Sequence, residues 1–240
     1  MRDASLRDSA AASESAPSGV HPAGCTPEGP QASTADRTPA SSQMHIHLAS
    51  ANDADGIRAV YAPFVDTPVT FEEEVPSCET YRERIVRICE KYPCLVAEEG
   101  GRIVGFAYAH ELRERIAFQW NAELSVYLAP TAQGHGLGAV LYRALIELCA
   151  AQGIKAVYGI VTSPNDPSQR LHEGLGFEVM GHQRHAGFKS GQWHDVTWYV
   201  KFLTDRFEDD PASPVPFPLL CDQQPQAVKD ILDRANSSLR

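Results

Sequence analysis

The run from Trp120 to Leu148 constrains this chain more than any other. It opens with an extended segment, Trp120-Asn121-Ala122-Glu123-Leu124-Ser125-Val126-Tyr127-Leu128, which stops before Pro130. A glycine-rich turn follows, Gln133-Gly134-His135-Gly136-Leu137-Gly138, and then Ala139 to Leu148 at helical spacing. A strand that ends in glycines and opens a helix is an anion-binding device. Glycines let backbone N–H groups approach the ligand, and the helix N-terminus adds unsatisfied donors and roughly half a positive charge. The pattern therefore points to a phosphate.

Three phosphate-binding patterns compete. A P-loop needs Lys and then Ser or Thr after its second glycine, but Gly138 is followed by Ala139 and Val140. A dinucleotide fingerprint tolerates Gly134-x-Gly136-x-x-Ala139, yet it also needs an acid about 20 residues on. Lys155 to Val161 contains none. The third pattern, Gln133-x-x-Gly136-x-Gly138, resembles the acyl-CoA pyrophosphate loop of the GNAT N-acetyltransferases. Further stretches carry the resemblance to the branch that holds phosphinothricin and methionine sulfone or sulfoximine acetyltransferases. They are Thr70-Phe71-Glu72, Pro93-Cys94-Leu95-Val96-Ala97-Glu98, Pro164-Asn165-Asp166-Pro167-Ser168, Leu171-His172-Glu173-Gly174-Leu175-Gly176-Phe177 and Gly187-Phe188-Lys189-Ser190-Gly191-Gln192-Trp193-His194-Asp195-Val196. The likeness runs from about His45 to Leu203.

The resemblance implies an α/β fold: a mixed, mostly antiparallel sheet of about seven strands flanked by helices. Its splayed central strands admit acetyl-CoA, the implied cosubstrate. Gln133, Gly134, His135, Gly136, Leu137, Gly138 and Ala139 would hold the pyrophosphate, while backbone groups of Val126, Tyr127 and Leu128, with Asn165, would meet the pantetheine arm. Gln133 stands where the family commonly has Arg, so one charge-assisted contact is missing. Phe71, Arg113, Arg115 and Phe118 would line the acceptor pocket. The family has a Tyr where this chain has Phe118. An Arg pair on a loop is ordinarily solvated, but a carboxylate-bearing substrate gives it a bidentate partner.

The chemistry needs a base, because amino acid amines are mostly protonated at neutral pH. Glu123 sits in an otherwise apolar and small-residue strand, where burial would raise its pKa. By itself the pattern fits a solvent-facing Glu equally well; the resemblance makes Glu123 the catalytic base. His172 is read as an ordinary structural histidine on its own, and with the resemblance as a supporting catalytic residue. No cysteine lies in the motif region to carry an acyl group, so direct transfer is expected.

The rest of the 240 residues frames this domain. Residues 1–43 are poor in large apolar side chains and read as a disordered tail. Residues 44–204 form the domain, and residues 205–240 read as a Pro-rich linker with a short helix over Gln226–Ala235 that docks or stays free. The net charge of −10 argues against a nucleic-acid footprint, and no apolar run is long enough to span a bilayer. Six cysteines without metal-like spacing suit a reducing, cytoplasmic setting. His182, His185 and His194 match no ligand motif, and no metal is expected. Relatives are often homodimers. Two other classes stay open: a non-catalytic acyl-CoA-binding module, and an acetyltransferase for a polyamine or protein amine.

Overall fold

Residues 43–239 are described by a computed structural model. The expected N-terminal tail, apart from Gln43, lies outside them. The chain begins with the edge strand β1 (His45–Leu48), and Ser50 with Asp53 closes a capping box behind it. Then come α1 (Ala54–Val65) and α2 (Cys78–Cys89), the second capped by Ser77. Pro63 does not stop α1, which runs on to Val65. β2 (Cys94–Glu99) and β3 (Arg102–Glu111) follow as a hairpin. Its two turn residues, Gly100 and Gly101, adopt φ 57° and 80°, the left-handed geometry a tight hairpin demands. β4 (Asn121–Leu128), α3 (Leu137–Gln152), β5 (Ala156–Ser163) and α4 (Asp166–Gly174) make the central unit. β6 (Glu178–Lys189) and β7 (Gln192–Phe202) form the last hairpin.

Among the described residues, seven strands form one sheet in the order β1-β2-β3-β4-β5-β7-β6. Each neighbouring pair is antiparallel except β4 and β5. Side chains alternate across a strand, and the two faces are covered by different helices. On one face Cys94, Val96 and Phe106 pack with Ile57, Val60 and Tyr61 of α1 and Tyr81 and Ile85 of α2. On the other, Leu95, Ala107, Leu124 and Val157 pack with Leu141, Leu145 and Leu148 of α3. Each fully buried side chain of this size contributes roughly 1.5–3 kcal/mol.

Two segments differ from what the sequence predicts. The pattern places a turn over residues 187–192, but β6 runs to Lys189 and only Ser190 and Gly191 turn, at φ 52° and 78°. The chain after β7 is more than a linker. It forms α5 (Phe217–Gln223) and α6 (Pro225–Ser237), and both join the α3 side of the core through Phe217, Leu220, Val228, Ile231 and Ala235. Asn236 of α6 accepts from Ile46 N at 2.7 Å and donates to Ile46 O at 2.9 Å. Its side chain thereby closes the exposed edge of β1 as a neighbouring strand would.

Leu220 is fully buried. Leu220→Ala is therefore expected to lower stability by about 2–5 kcal/mol, read as a lower urea midpoint at an unchanged m-value. A shift under about 0.5 kcal/mol would mean that the C-terminal helices lie outside the cooperative core.

Candidate active site

The site begins where a ladder stops. β4 and β5 pair only from Asn121 to Glu123, against Ala156 to Tyr158. Beyond that point β4 stays with β3 and β5 stays with β7, so the two halves of the sheet part. Trp120 O accepts from Lys155 N and Ala156 N at 2.8 and 3.2 Å. Alternation along a strand then turns the backbone groups of Ala122, Leu124, Val126 and Leu128 toward the opening. Two carbonyls there are satisfied by side chains. Leu124 O accepts from the Tyr142 hydroxyl at 2.8 Å, and Leu128 O accepts from Gln133 Nε2 at 3.0 Å. The Val126 N–H and C=O and the Leu128 N–H are left facing the opening. Leu124 to Tyr127 and Gly159 to Thr162 form its walls, and Val69, Tyr142, Asn165, Ser168 and His172 complete the lining.

Glu123 occupies the last paired position, opposite Tyr158 on β5 and His110 on β3. It lies on the α1–α2 face, since its neighbours Ala122 and Leu124 belong to the α3 face. Its side chain is 21 % exposed, and Oε1 lies 3.7 Å from His110 Nε2. Burial pushes the Glu123 carboxyl above its ordinary range, and the positive charges offered by His110 and Arg113 oppose that rise. Arg113 is thus within electrostatic reach of the carboxylate, and its guanidinium lies over the Trp198 ring at 6.0 Å. Arg115 precedes the short turn Ile116–Phe118, and both Arg115 and Phe118 face solvent. Phe71 is 41 % exposed and rests against Gly187.

His172 lies on the opposite face and does not meet Glu123. It is buried against Tyr199, with ring centroids 4.8 Å apart, and edge-on to Tyr142 and Phe177. Its Nδ1 sits 2.8 Å from Ser168 O, a group that only accepts, so Nδ1 carries the proton. Burial holds the His172 pKa down, and Nε2 lies 3.2 Å from the Tyr142 hydroxyl. The ring packs edge-on to Tyr142 and so steadies the residue that donates to Leu124 O. The ring fits because position 159 is glycine: a Cβ there would lie 2.1 Å from His172 Nε2.

The glycine turn has the conformation its residues imply. Gly134 and Gly136 adopt φ 81° and 84°, and the space where their Cβ atoms would stand is open. Gly136 is the N-cap of α3, and buried Leu137 anchors the first turn. The first N–H groups of a helix have no partner within it. Those of Leu137 and Gly138, with the exposed turn at Gly134 and His135, can therefore cradle a pyrophosphate, and Ala139 adds little bulk. Gln133 commits its amide to Leu128 O and shapes the turn. Asn165 caps α4 by accepting from Ser168 N at 3.2 Å, and its Nδ2 has no hydrogen-bond partner among the described residues. An acyl-CoA fits this donor set, with diphosphate on the turn and a pantetheine amide along Val126.

Among the described residues, His182, His185 and His194 do not form a cluster. His182 bonds to the Thr197 hydroxyl, and His194 Nε2 donates to Lys189 O. His45, His47 and Glu98 bring donor atoms within 4.8 Å of one another at the β1–β2 edge, three strands from β4. Sequence patterns do not point to Tyr142 or Val69. Tyr142 lies beside the expected apolar stripe of α3, and Val69 reaches the cleft from a loop with no periodicity. His110 does carry a signal, since it precedes Glu111 at the end of a strand that must pair with β4.

Comparison with known proteins agrees with this geometry. A model for the acetyltransferase (GNAT) domain matches residues 46–198. Phosphinothricin N-acetyltransferase of Streptomyces viridochromogenes is 36% identical over 173 residues, 72% of this chain and 94% of that protein. The L-methionine sulfoximine/L-methionine sulfone acetyltransferase of Pseudomonas aeruginosa is 35% identical, covering 64% of this chain and 91% of its own. The crystal structure of a Sinorhizobium meliloti phosphinothricin acetyltransferase with acetyl-CoA superposes with a TM-score of 0.68 at 32% identity, over 72% of this chain and 95% of that one. The chain is thus a member of the GNAT acetyltransferase family, an acetyl-CoA-dependent N-acetyltransferase.

Proposed function

We propose that the acceptor is the amine of a small, carboxylate-bearing amino acid analogue of the phosphinothricin, methionine sulfoximine or methionine sulfone type. The observation that carries this reading is the half-buried Glu123 carboxylate at the apex of the cleft, within electrostatic reach of Arg113. Acetyl-CoA, when bound, supplies the activated acetyl thioester. Glu123 takes the ammonium proton and frees the nitrogen lone pair. The nitrogen bonds to the acetyl carbon as the carbon–sulfur bond breaks, and the proton that the nitrogen sheds in becoming an amide goes to the departing thiolate, which leaves as the thiol. The Val126 N–H, aimed into the cleft, is the donor for the thioester carbonyl. Arg113 and Arg115 attract the acceptor carboxylate, and Phe71 and Phe118 supply apolar walls. His172 supports the reaction by holding Tyr142. No step is assigned to a metal.

Thiol release from acetyl-CoA, measured against phosphinothricin, methionine sulfoximine, methionine sulfone, spermidine and a short peptide, tests the acceptor. Saturable turnover with the three carboxylate-bearing analogues is expected. Turnover with spermidine or peptide alone would overturn the acceptor, and bound acetyl-CoA without turnover would favour a binding module.

Because burial raises the Glu123 pKa, its working, ionised form is lost as pH falls through a value above the ordinary carboxylate range. kcat/KM should therefore show a rising limb displaced to higher pH. Glu123→Gln should remove that limb and lower kcat by roughly a hundredfold or more, with acetyl-CoA affinity unchanged. A pH profile identical to wild type would remove Glu123 from the role of base. His172→Ala should cost less turnover than Glu123→Gln; the reverse order would contradict its supporting role.

Val179, Met180, Phe188 and Trp193 leave apolar surface on the β6–β7 hairpin, each about half exposed or more. This supports a homodimer through that hairpin, and the free cysteines support a reducing, cytoplasmic setting. Light scattering on the full chain should give twice the monomer mass, falling to the monomer in Met180→Glu/Trp193→Glu. A wild-type monomer would exclude the dimer.

A further inference from the structure

The loop between α1 and α2 carries Val69 into the cleft lining and Phe71 beside it. Little apolar burial holds it there. Val69, Phe71 and Val75 are each more than a third exposed, and a loop without buried side chains is held by its polar contacts or drifts. The hydroxyl pair Tyr61–Thr70 at 2.7 Å and the ion pair Arg84–Glu72 at 2.6 Å hold it from the helix side. The third hold comes from the other end of the sheet. Lys189 Nζ donates to Val65 O, Thr67 O and Thr70 O at 2.6, 2.7 and 2.6 Å.

The chemistry of that contact is specific. Lys189 is 5 % exposed, and a buried ammonium is costly unless its hydrogen bonds are made. Here three donors meet three acceptors. Val65 is the last residue of α1, so the ammonium also stands at the negative end of that helix and satisfies a carbonyl that α1 cannot. The carbonyls of Thr67 and Thr70 bracket Val69, so the grip falls on either side of the residue that lines the cleft. The two-residue turn at Ser190–Gly191 fixes Lys189 as the last residue of β6, and His194 holds its carbonyl at 3.2 Å. Two residues earlier, Gly187 lies under the Phe71 ring. A Cβ there would come within 2.5 Å of it. The end of β6 thus grips the loop backbone with one residue and seats its aromatic side chain with another.

We infer that Lys189 is a positioning residue for the acceptor amine substrate, acting through the carbonyls on either side of Val69 to fix Val69 and Phe71 at the acceptor side of the cleft. This rests on the acceptor pocket proposed above. It separates Lys189 from the glycine turn, which caps α3 on the other face of the sheet from α1 and α2.

The test uses the full-length enzyme, with Lys189→Met removing the charge and donors while keeping the apolar stem. The acceptor KM should rise roughly tenfold or more, the scale of losing charged hydrogen bonds. The acetyl-CoA KM should stay within about twofold of wild type. Amides of residues 66–72 should exchange with solvent faster in the variant. An unchanged acceptor KM, or an equal rise in both KM values, would overturn the inference, the second result marking a merely structural lysine. Lys189→Gln, which keeps an amide donor, is read in the same way where Lys189→Met does not fold. Wild-type enzyme silent toward all carboxylate-bearing acceptors would defeat the acceptor reading. The exchange measurement would then still decide the latch: unchanged exchange at residues 66–72 would sink it.

Discussion

Everything at this site follows from one interrupted ladder. A parallel pair of strands that separates inside a sheet strands backbone donors and acceptors, and a buried one left unpaired costs about as much as a lost hydrogen bond. The chain satisfies some of these groups with side chains: Tyr142 takes the Leu124 carbonyl and Gln133 takes the Leu128 carbonyl. The Val126 N–H and C=O and the Leu128 N–H remain. A gap with such unpaired groups is the complement of an extended ligand that carries amides, by the same logic that adds a strand to a sheet edge. Residues which hold the gap open therefore matter as much as those which line it. Gly159 belongs to this group, because only its missing Cβ lets His172 reach and steady Tyr142.

The interrupted ladder also sets the electrostatics. Glu123 is the last residue still paired, and its side chain is 21 % exposed. Burial raises its pKa and outweighs the opposition of His110 and Arg113. A tenfold change in a protonation equilibrium corresponds to about 1.4 kcal/mol, so a modest imbalance between burial and neighbouring charge is enough to strengthen the base. Arg113 faces a conflict on the proposed reading. It favours the ionised carboxylate, which would weaken the base, while its charge would recruit an anionic acceptor. Placement on a solvated loop moderates the first effect, because exposed charges are screened.

The parts of the site visible in the sequence are those whose signal is local. Gly134 and Gly136 need positive φ within a few residues of a strand end, and Glu123 interrupts a short apolar strand. These are patterns of neighbouring residues, and the structure gives each its expected local form, positive φ at Gly134 and Gly136 and a paired strand at Glu123. Tyr142 and Lys189 have no such signature, because their partners are long-range. Tyr142 reaches Leu124 across 18 positions, and Lys189 reaches the α1–α2 loop across 119 to 124. Helix α5 is hidden for another reason. Seven residues flanked by prolines hold too few turns for a periodicity to show, and its place in the core rests on Phe217 and Leu220 finding α3 and its neighbours. The full length of β6 is masked because Gly187 reads as a turn residue, whereas its role is to make room for Phe71.

The two sides of the cleft are fixed by different physics. The acyl-donor side rests on α3, whose Leu137, Leu141 and Leu145 are buried and whose N-cap is a glycine of forced geometry. That burial is non-directional and spread over many contacts, so it tolerates change. The acceptor side hangs from an exposed loop held by a few directional contacts at Lys189, Tyr61 and Arg84. Such contacts fail singly, and each loss is felt at Val69 and Phe71. A scaffold built this way keeps one ligand site constant while small changes in loop polarity retune the other. On the proposed reading, acceptor choice in this chain is governed less by the glycine turn than by the few hydrogen bonds that hold the loop against the sheet.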